Sequence, residues 1–293
     1  MAVYKRTYKS YAGPLTPSWS RFAVLSRYGL SRMFESRPFT AFTMACLVPF
    51  LIALVFIYVV HNTAVQAVLN VRMGPNALVD NLFFFRFMGI EAWMAFLMTA
   101  WFGPGMISKD FANHGIQLYL SRPLSRAEYL LGKISVLAIL LSCTTWLPAL
   151  VLFAINAGMV GRNWGWKNLW IAAAIVVAGL LWIALISLVA MALSVWVRWR
   201  IAATALIFSV FFLLPGFGEA MNLILRTQWG KLLNLAYLIS TVWAHLFLTG
   251  PQLRFTGFNL IPLWSAWAML LAVCAFSLWI LNVRLRAREV ERG

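Results

Sequence analysis

The sequence predicts an all-α polytopic membrane protein with six transmembrane helices and an N-terminal amphipathic interfacial helix. The chain has 293 residues, of which 62% are hydrophobic and only 11% are charged. Long stretches without Asp, Glu, Lys or Arg cover residues 38–71, 92–108, 134–161, 168–197, 201–218, 232–253 and 255–283. A helix needs about 20 apolar residues to cross the hydrocarbon core of a bilayer, and most of these stretches reach that length.

A cytoplasmic N-terminal segment, residues 1–37, is predicted to contain the amphipathic helix at residues 18–36. Apolar side chains recur every three residues at Trp19, Phe22 and Leu25, with three arginines interleaved. This pattern is typical of a helix that lies on the surface of an anionic leaflet. The alternative is an ordinary solvated linker.

The transmembrane domain is predicted at residues 38–283, followed by a cytoplasmic basic tail at residues 284–293. Its six spans are expected at residues 39–61, 86–106, 133–158, 169–196, 201–216 and 261–282. Pro49 is expected to kink the first span, because proline disrupts the hydrogen bonding of a helix.

The distribution of basic residues favours six crossings with both termini in the cytoplasm. On that topology the inner segments hold seven, four, two and four of the 24 Lys and Arg residues. A seventh crossing would place the four arginines of the tail outside and break the positive-inside pattern. Residues 217–260 are therefore predicted to form an outer re-entrant-like region, in which a pair of helices at 219–250 enters the outer leaflet without crossing. Pro215 and Gly216 are expected to pack against other spans there.

The cytoplasmic connection between the second and third spans, residues 107–132, is too long for a simple connector. Ser125 is a good N-cap, and Glu128 follows three residues later, which predicts a capping box at the start of the third span. Upstream, apolar side chains such as Phe111 and Leu118 would face the cytosol, and such surfaces usually bind a partner. The alternative is a connector that only ends one span and begins the next.

The sequence GPGMISKDFANHGIQLYLSRPLSRAEYLLGK, residues 103–133, resembles the cytoplasmic segment of ATP-binding-cassette (ABC) exporter permeases of the type-2 (ABC-2) class. The resemblance extends over the amphipathic helix, the six spans and the basic tail. It implies that the segment carries a coupling helix, which inserts into a cleft on a separate ATPase subunit. The residues assigned to ATPase coupling are Asp110, Phe111, Gln117, Leu118, Tyr119, Leu120, Arg122, Pro123, Ser125, Arg126 and Glu128.

The same resemblance implies an assembly in the membrane, with a bacterial inner (plasma) membrane expected. Two permease chains, identical or related, would associate with two ATPase subunits, and ATP and Mg would be bound by those subunits. The loop between the fifth and sixth spans would form an extracellular gate. Membrane lipid is a further expected partner.

The sequence lacks the motifs that we searched for as signs of nucleotide binding, catalysis or metal binding. Gly132 and Lys133 are followed by Ile134, so they do not form a Walker A loop, and no HExxH, GxSxG or CxxC motif occurs. The cysteines lie in uncharged stretches and are expected to be packing residues. The basic residues that give the net charge of +16 lie between the spans. The positive-inside rule explains this distribution better than binding to nucleic acid does. We therefore expect no catalytic, cofactor or metal site in this chain.

Two charged residues, Arg86 and Glu91, are predicted in or near the second span. Intramembrane carboxylates are functional candidates by default, so a proton-coupled secondary transporter that uses Glu91 is an alternative function. A structural explanation is an interfacial ion pair. The two residues are about 140° apart around a helix, which favours a partner for Glu91 on another loop. A membrane enzyme or scaffold is a third alternative, for which no cluster of reactive side chains is present.

Overall fold

The described part of the chain consists of helices and contains no β-strand. A computed structural model describes residues 21–70, 79–105, 125–197, 199–254 and 261–287. The α-helices are α1 (Arg21–Phe34), α2 (Arg37–Cys46), α3 (Val48–His61), α4 (Thr63–Val68), α5 (Asn81–Phe102), α6 (Arg126–Thr144), α7 (Trp146–Val160), α8 (Arg162–Lys167), α9 (Leu169–Trp196), α10 (Arg200–Phe208), α11 (Leu214–Leu225), α12 (Leu235–Leu246), α13 (Gly250–Arg254) and α14 (Leu263–Ala287). A π-helix (Ser209–Leu213) joins α10 to α11, and a 3-10 helix (Trp229–Leu233) precedes α12.

Six helical stretches within the described ranges are long and apolar enough to cross a membrane, which confirms the predicted architecture. They are span 1 (Arg37–His61), span 2 (Asn81–Phe102), span 3 (Ala127–Val160), span 4 (Leu169–Trp196), span 5 (Arg200–Leu225) and span 6 (Leu263–Arg284). Span 2 begins earlier than expected because Asp80 caps it, accepting a hydrogen bond from the Phe83 amide at 3.0 Å. Arg86, at which span 2 was expected to begin, therefore lies inside the helix.

Prolines divide spans 1 and 3 into two helices each. Span 1 breaks at Leu47, and Pro49 lies in the first turn of α3, as predicted. Span 3 breaks at Thr145, and Pro148 lies in the first turn of α7. Proline has no amide hydrogen, and its ring clashes with the preceding turn, so the helix restarts where proline is tolerated.

Span 5 contains the π-helix immediately before Pro215. A π-helix has a wider turn than an α-helix. We attribute it to this proline, which has no amide hydrogen to donate to a carbonyl of the preceding turn. The expectation that Pro215 and Gly216 pack against other spans is wrong for Gly216, while Pro215 is half-buried and its packing stays a prediction. Gly216 is exposed, and a Cβ atom there would meet nothing within 4 Å. The backbone of α11 is helical at this point, so its polar groups are satisfied without neighbouring spans.

The helices beyond span 5 turn back on themselves through a close backbone contact between Gly218 and Gly230. Asn222 reinforces this contact, since its Oδ1 accepts a hydrogen bond from the Gly230 amide at 2.7 Å. The 12 residues of α12 give a length of about 18 Å, shorter than the hydrocarbon core of about 30 Å. A helix pair is therefore present in the predicted region. Its entry into the outer leaflet without crossing stays a prediction.

Span 4 is the central helix of the domain and packs against spans 2, 3, 5 and 6. A main core surrounds it, with fully buried side chains such as Phe84, Leu152 and Ile175. A separate inner cluster consists of Tyr129, Leu137, Met191, Ala192, Val195, Ile280 and Leu281. This inner cluster joins the first turns of span 3 to the last turns of spans 4 and 6, and it positions the site described below.

The predicted amphipathic helix is present as α1, and one of its faces packs on α6. Ser26 is buried, and its Oγ lies 3.2 Å from the carbonyl oxygen of Gly132. A Cβ atom at Gly132 would lie 2.7 Å from the side chain of Leu25, so a larger residue here would force the Leu25 side chain to shift. Val24 and Tyr28 remain exposed on other faces of α1.

Candidate functional site

The predicted coupling segment, residues 107–132, is described from Ser125 onward. Eight of the residues assigned to coupling lie outside the described residues: Asp110, Phe111, Gln117, Leu118, Tyr119, Leu120, Arg122 and Pro123. The structure does describe the chain immediately before and after them. The candidate site is therefore defined by how the two ends of the segment are held.

The C-terminal end of the segment is fixed by the capping box that the sequence predicts. Ser125 Oγ accepts a hydrogen bond from the Glu128 amide at 3.2 Å, and Glu128 Oε2 accepts one from the Ser125 amide at 2.6 Å. Both amides would otherwise lack partners at the start of α6. A cap of this kind contributes about 1 kcal/mol to helix stability. It also fixes the direction in which the chain leaves the segment.

Tyr129, one residue after the box, attaches this end to the transmembrane domain. Its side chain is only 2% exposed and packs in the inner cluster with residues from α9 and α14. The Lys133 ammonium lies 5.8 Å from the centre of the Tyr129 ring, within the range of a cation–π contact. The start of span 3 is thus joined to the C-terminal ends of spans 4 and 6.

The N-terminal end of the segment is held by span 5. Arg200 Nη2 donates a hydrogen bond to the carbonyl oxygen of Trp101 at 2.9 Å, and Thr204 Oγ1 donates to that of Ala100 at 3.1 Å. The Arg200 side chain also lies close to Gly105, the last residue described before the segment. These carbonyls belong to the last turn of α5, where carbonyl groups have no amide partner within the helix.

Arg200 and Thr204 are not among the residues assigned to coupling from the sequence. The signal for Arg200 is its place in the short basic turn VRWR, residues 197–200, whose two arginines entered the sequence analysis only as part of the count of basic residues in the inner segments. The contact to the end of α5 joins residues about one hundred positions apart, and no local pattern reports such a contact. The two ends of the segment therefore contact different spans: span 5 before it, and spans 4 and 6 after it.

Glu91 lies deeper than the sequence indicated and has no ion-pair partner in the described part of the chain. It follows Asn81 by ten residues, or about 15 Å, which places it halfway along span 2. The residue is fully buried, and neither carboxylate oxygen has a hydrogen-bond partner among the residues described. Arg86 is exposed and does not pair with it. Arg86 is thus not the partner, as its angle around the helix indicated, and the partner expected on another loop does not occur among the described residues.

The surroundings of Glu91 and the other polar side chains do not form a metal site in the described ranges. No three His, Cys, Asp or Glu side chains come together there as a metal ion would require. Cys46, Cys143 and Cys274 are free thiols, and Cys46 is buried at the break between α2 and α3.

Comparison with known proteins gives one informative result. The family model described as "ABC-2 family transporter protein" matches residues 36–285. The match includes all six spans, both anchored ends of the predicted coupling segment and the outer helix pair. No curated protein matches the chain.

Proposed function

We propose that this chain, which belongs to the ABC-2 family of transporter proteins, is the permease subunit of an ABC exporter and is driven by a separate ATPase subunit. Residues 107–132 would bind that subunit, and the six spans would form the path for the cargo. ATP and Mg would be held by the partner, and this chain would contribute no catalytic residue.

The observation that carries the proposal is the way the two ends of the segment contact different spans. Arg200 ties the N-terminal end to span 5, and Tyr129 ties the C-terminal end to spans 4 and 6. Any displacement of the segment by a partner would therefore act on three spans at once. A passive connector would not need a capped helix start and contacts of this kind at both ends.

The assembly that we propose has two permease chains, identical or related, and two ATPase subunits, in contact with membrane lipid. Both termini would lie in the cytoplasm, in accordance with the excess of Lys and Arg in the inner segments. A bacterial inner membrane is the proposed location. The outer helix pair around Gly218 and Gly230 would form the extracellular gate.

The proposed function is tested by purifying the chain from its native membrane in a mild detergent. Any soluble subunit that remains bound would be identified by mass spectrometry, and ATP hydrolysis would be measured. We expect a stoichiometric partner that carries a Walker A motif and hydrolyses ATP. A chain that purifies alone, without ATP hydrolysis, would contradict the proposal.

Glu91 favours one second candidate function, a proton-coupled secondary transporter. An isolated carboxylate in the middle of a span is costly to keep charged, and such residues mark proton pathways in many transporters. Transport would then depend on a pH gradient and not on ATP. The two functions are separated by measuring transport in vesicles that contain either ATP or an imposed pH gradient.

A further inference from the structure

A guanidinium group lies over an exposed indole ring at the face of the domain where spans 4 and 6 end. The Cζ atom of Arg284, near the end of α14, is 5.3 Å from the centre of the ring of Trp196, the last residue of α9. This distance is within the range of a cation–π contact. Trp196 is 57% exposed and Arg284 is also exposed, so a ligand can reach the pair from the surface.

The contact with Trp196 positions Arg284 and leaves its hydrogen-bond donors available. A guanidinium group that stacks on an aromatic ring keeps its five N–H groups at its edge. Within the part of the chain that the structure describes, Arg284 makes no hydrogen bond and no ion pair. Arg200, at the start of span 5, instead donates to the carbonyl oxygen of Trp101. Arg284 therefore presents a fork of donors that suits bidentate binding of a phosphate group.

The charges near Arg284 favour a ligand with a net negative charge. Residues 284–293 hold four arginines and two glutamates, so this stretch carries a net positive charge. Glu128, at the start of the neighbouring span 3, already accepts a hydrogen bond from the Ser125 amide. Basic residues next to a membrane surface attract anionic lipids in preference to zwitterionic ones. The phosphate group that Arg284 suits is therefore expected on a lipid without a compensating cation.

An exposed apolar stripe on span 6 leads from the region of Arg284 toward the middle of the membrane. Phe276, Trp279 and Val283 are all exposed, and their spacing of three and four residues places them on one side of the helix. The rings of Phe276 and Trp279 stack with their centres 5.8 Å apart. The stripe lies about a quarter turn around the helix from Arg284, and it extends about 12 Å from it along the axis. An acyl chain attached to a phosphate group at Arg284 can therefore lie along the stripe.

We propose that this face binds an anionic phospholipid, whose phosphate group is held by Arg284 over Trp196 and whose acyl chain lies along the stripe of Phe276, Trp279 and Val283. A free phosphate ion would not use the stripe, and an uncharged fatty chain would not use the arginine. The inference rests on the contact with membrane lipid proposed above and specifies its chemical class and its place. The bound lipid would join the ends of spans 4 and 6.

The test measures lipid binding to the full chain in a mild detergent by native mass spectrometry. Phosphatidylglycerol, which is anionic, and phosphatidylcholine, which is zwitterionic, are titrated separately and carry the same acyl chains. We expect a saturable site that binds phosphatidylglycerol about fivefold more tightly, the factor for one basic residue near an anionic surface. The preference should shrink as the salt concentration is raised, because salt screens an exposed charge.

Two pairs of variants make the test specific to this face. Arg284→Ala should remove the preference for phosphatidylglycerol, while Arg226→Ala, at an exposed arginine beyond the other end of span 5, should keep it. Trp196→Leu removes the ring below the guanidinium group and should weaken binding of phosphatidylglycerol about threefold. Trp166→Leu removes an exposed tryptophan of α8, before span 4 begins, and should leave binding unchanged.

Equal affinity of the wild type for the two lipids, or the same affinities in Arg284→Ala and Arg226→Ala, would overturn the proposal. Displacement of phosphatidylglycerol by an equal concentration of inorganic phosphate would also overturn it, since the acyl chain would then add nothing. Each variant is first compared with the wild type by size-exclusion chromatography and thermal unfolding, so that loss of binding is not confused with loss of fold. Binding is measured on the chain without an ATPase, so its failure leaves the proposed permease function untouched.

Discussion

Arg200 donates a hydrogen bond from Nη2 to the carbonyl oxygen of Trp101 over 2.9 Å, and so joins the first turn of span 5 to the last turn of span 2. The carbonyl groups at the end of a helix lack amide partners and carry the negative end of the helix dipole. A guanidinium group placed there satisfies one of them and complements the dipole. Because the predicted coupling segment begins just beyond this turn, the contact links that segment to span 5.

Replacing Arg200 with alanine should impair coupling more than stability. A cation at a helix C-terminus contributes about 0.3–1 kcal/mol, so the midpoint of thermal unfolding should fall only slightly. ATP-driven transport should fall several-fold, while the ATPase subunit still co-purifies, because the segment itself is unchanged. Arg27→Ala, which removes an exposed arginine from α1, is the matched control. Normal transport by Arg200→Ala would show that the contact is only structural.

Replacing Leu118 and Tyr119 with aspartate should abolish association with the ATPase subunit. Burying two new carboxylates in an apolar interface is costly, whereas insertion of the spans does not involve these residues. The measurement is co-purification of the partner with chain that has reached the membrane. The double variant Ala64→Asp and Ala67→Asp adds the same charge at exposed positions of α4, outside the segment, and should retain the partner. Retained association in the variant at Leu118 and Tyr119 would exclude the coupling assignment.

Glu91 should be dispensable for ATP-driven function and unfavourable for stability. A buried polar group without a partner costs about 1–3 kcal/mol, so Glu91→Met should raise the free energy of unfolding by that order. Glu91→Gln should keep ATP-driven transport, and Glu219→Gln, at an exposed carboxylate, serves as the control. Thermal unfolding and vesicle transport are the two measurements. Complete loss of transport in Glu91→Gln would support the proton-coupled function instead.

Gly230→Ala should open the helix pair formed by α11 and α12. A Cβ atom at this position would meet the carbonyl oxygen of Gly218, which is backbone and cannot rotate away. Overpacking of this kind costs about 1–3 kcal/mol and here would also strain the Asn222 hydrogen bond. We expect faster hydrogen exchange in α11 and α12. Gly216→Ala, which has open space at its Cβ position, should have no such effect, and equal exchange in both variants would contradict the close contact.

The number and order of the spans could be predicted from the sequence because each span is a contiguous stretch of apolar, uncharged residues. The capping box was predicted for the same reason, since Ser125 and Glu128 are three positions apart on one helical turn. The break of span 1 at Leu47, just before Pro49, is also local. The residues assigned to coupling between Asp110 and Pro123 lie outside the described residues, and their role stays a prediction.

The expectations that were wrong concern the environment of a residue and not its secondary structure. Gly216 was expected to be packed because irregular backbone was expected there, but the π-helix keeps the chain helical and Gly216 is exposed. Glu91 was placed near the outer boundary because Arg86 was taken as the start of the span. Asp80 begins the helix earlier, and this moves Glu91 to its middle.

The sequence by itself determined the six membrane-spanning helices and the capped start of span 3, because each of these features is encoded by neighbouring residues, and one contiguous segment carried the resemblance to ABC-2 permeases. Only the tertiary structure decided which spans hold the two ends of the connection between spans 2 and 3, and that Glu91 has no partner in the described ranges. These facts depend on side chains that are far apart in the chain. Their contacts are fixed by how the helices pack together, and a linear pattern does not report that.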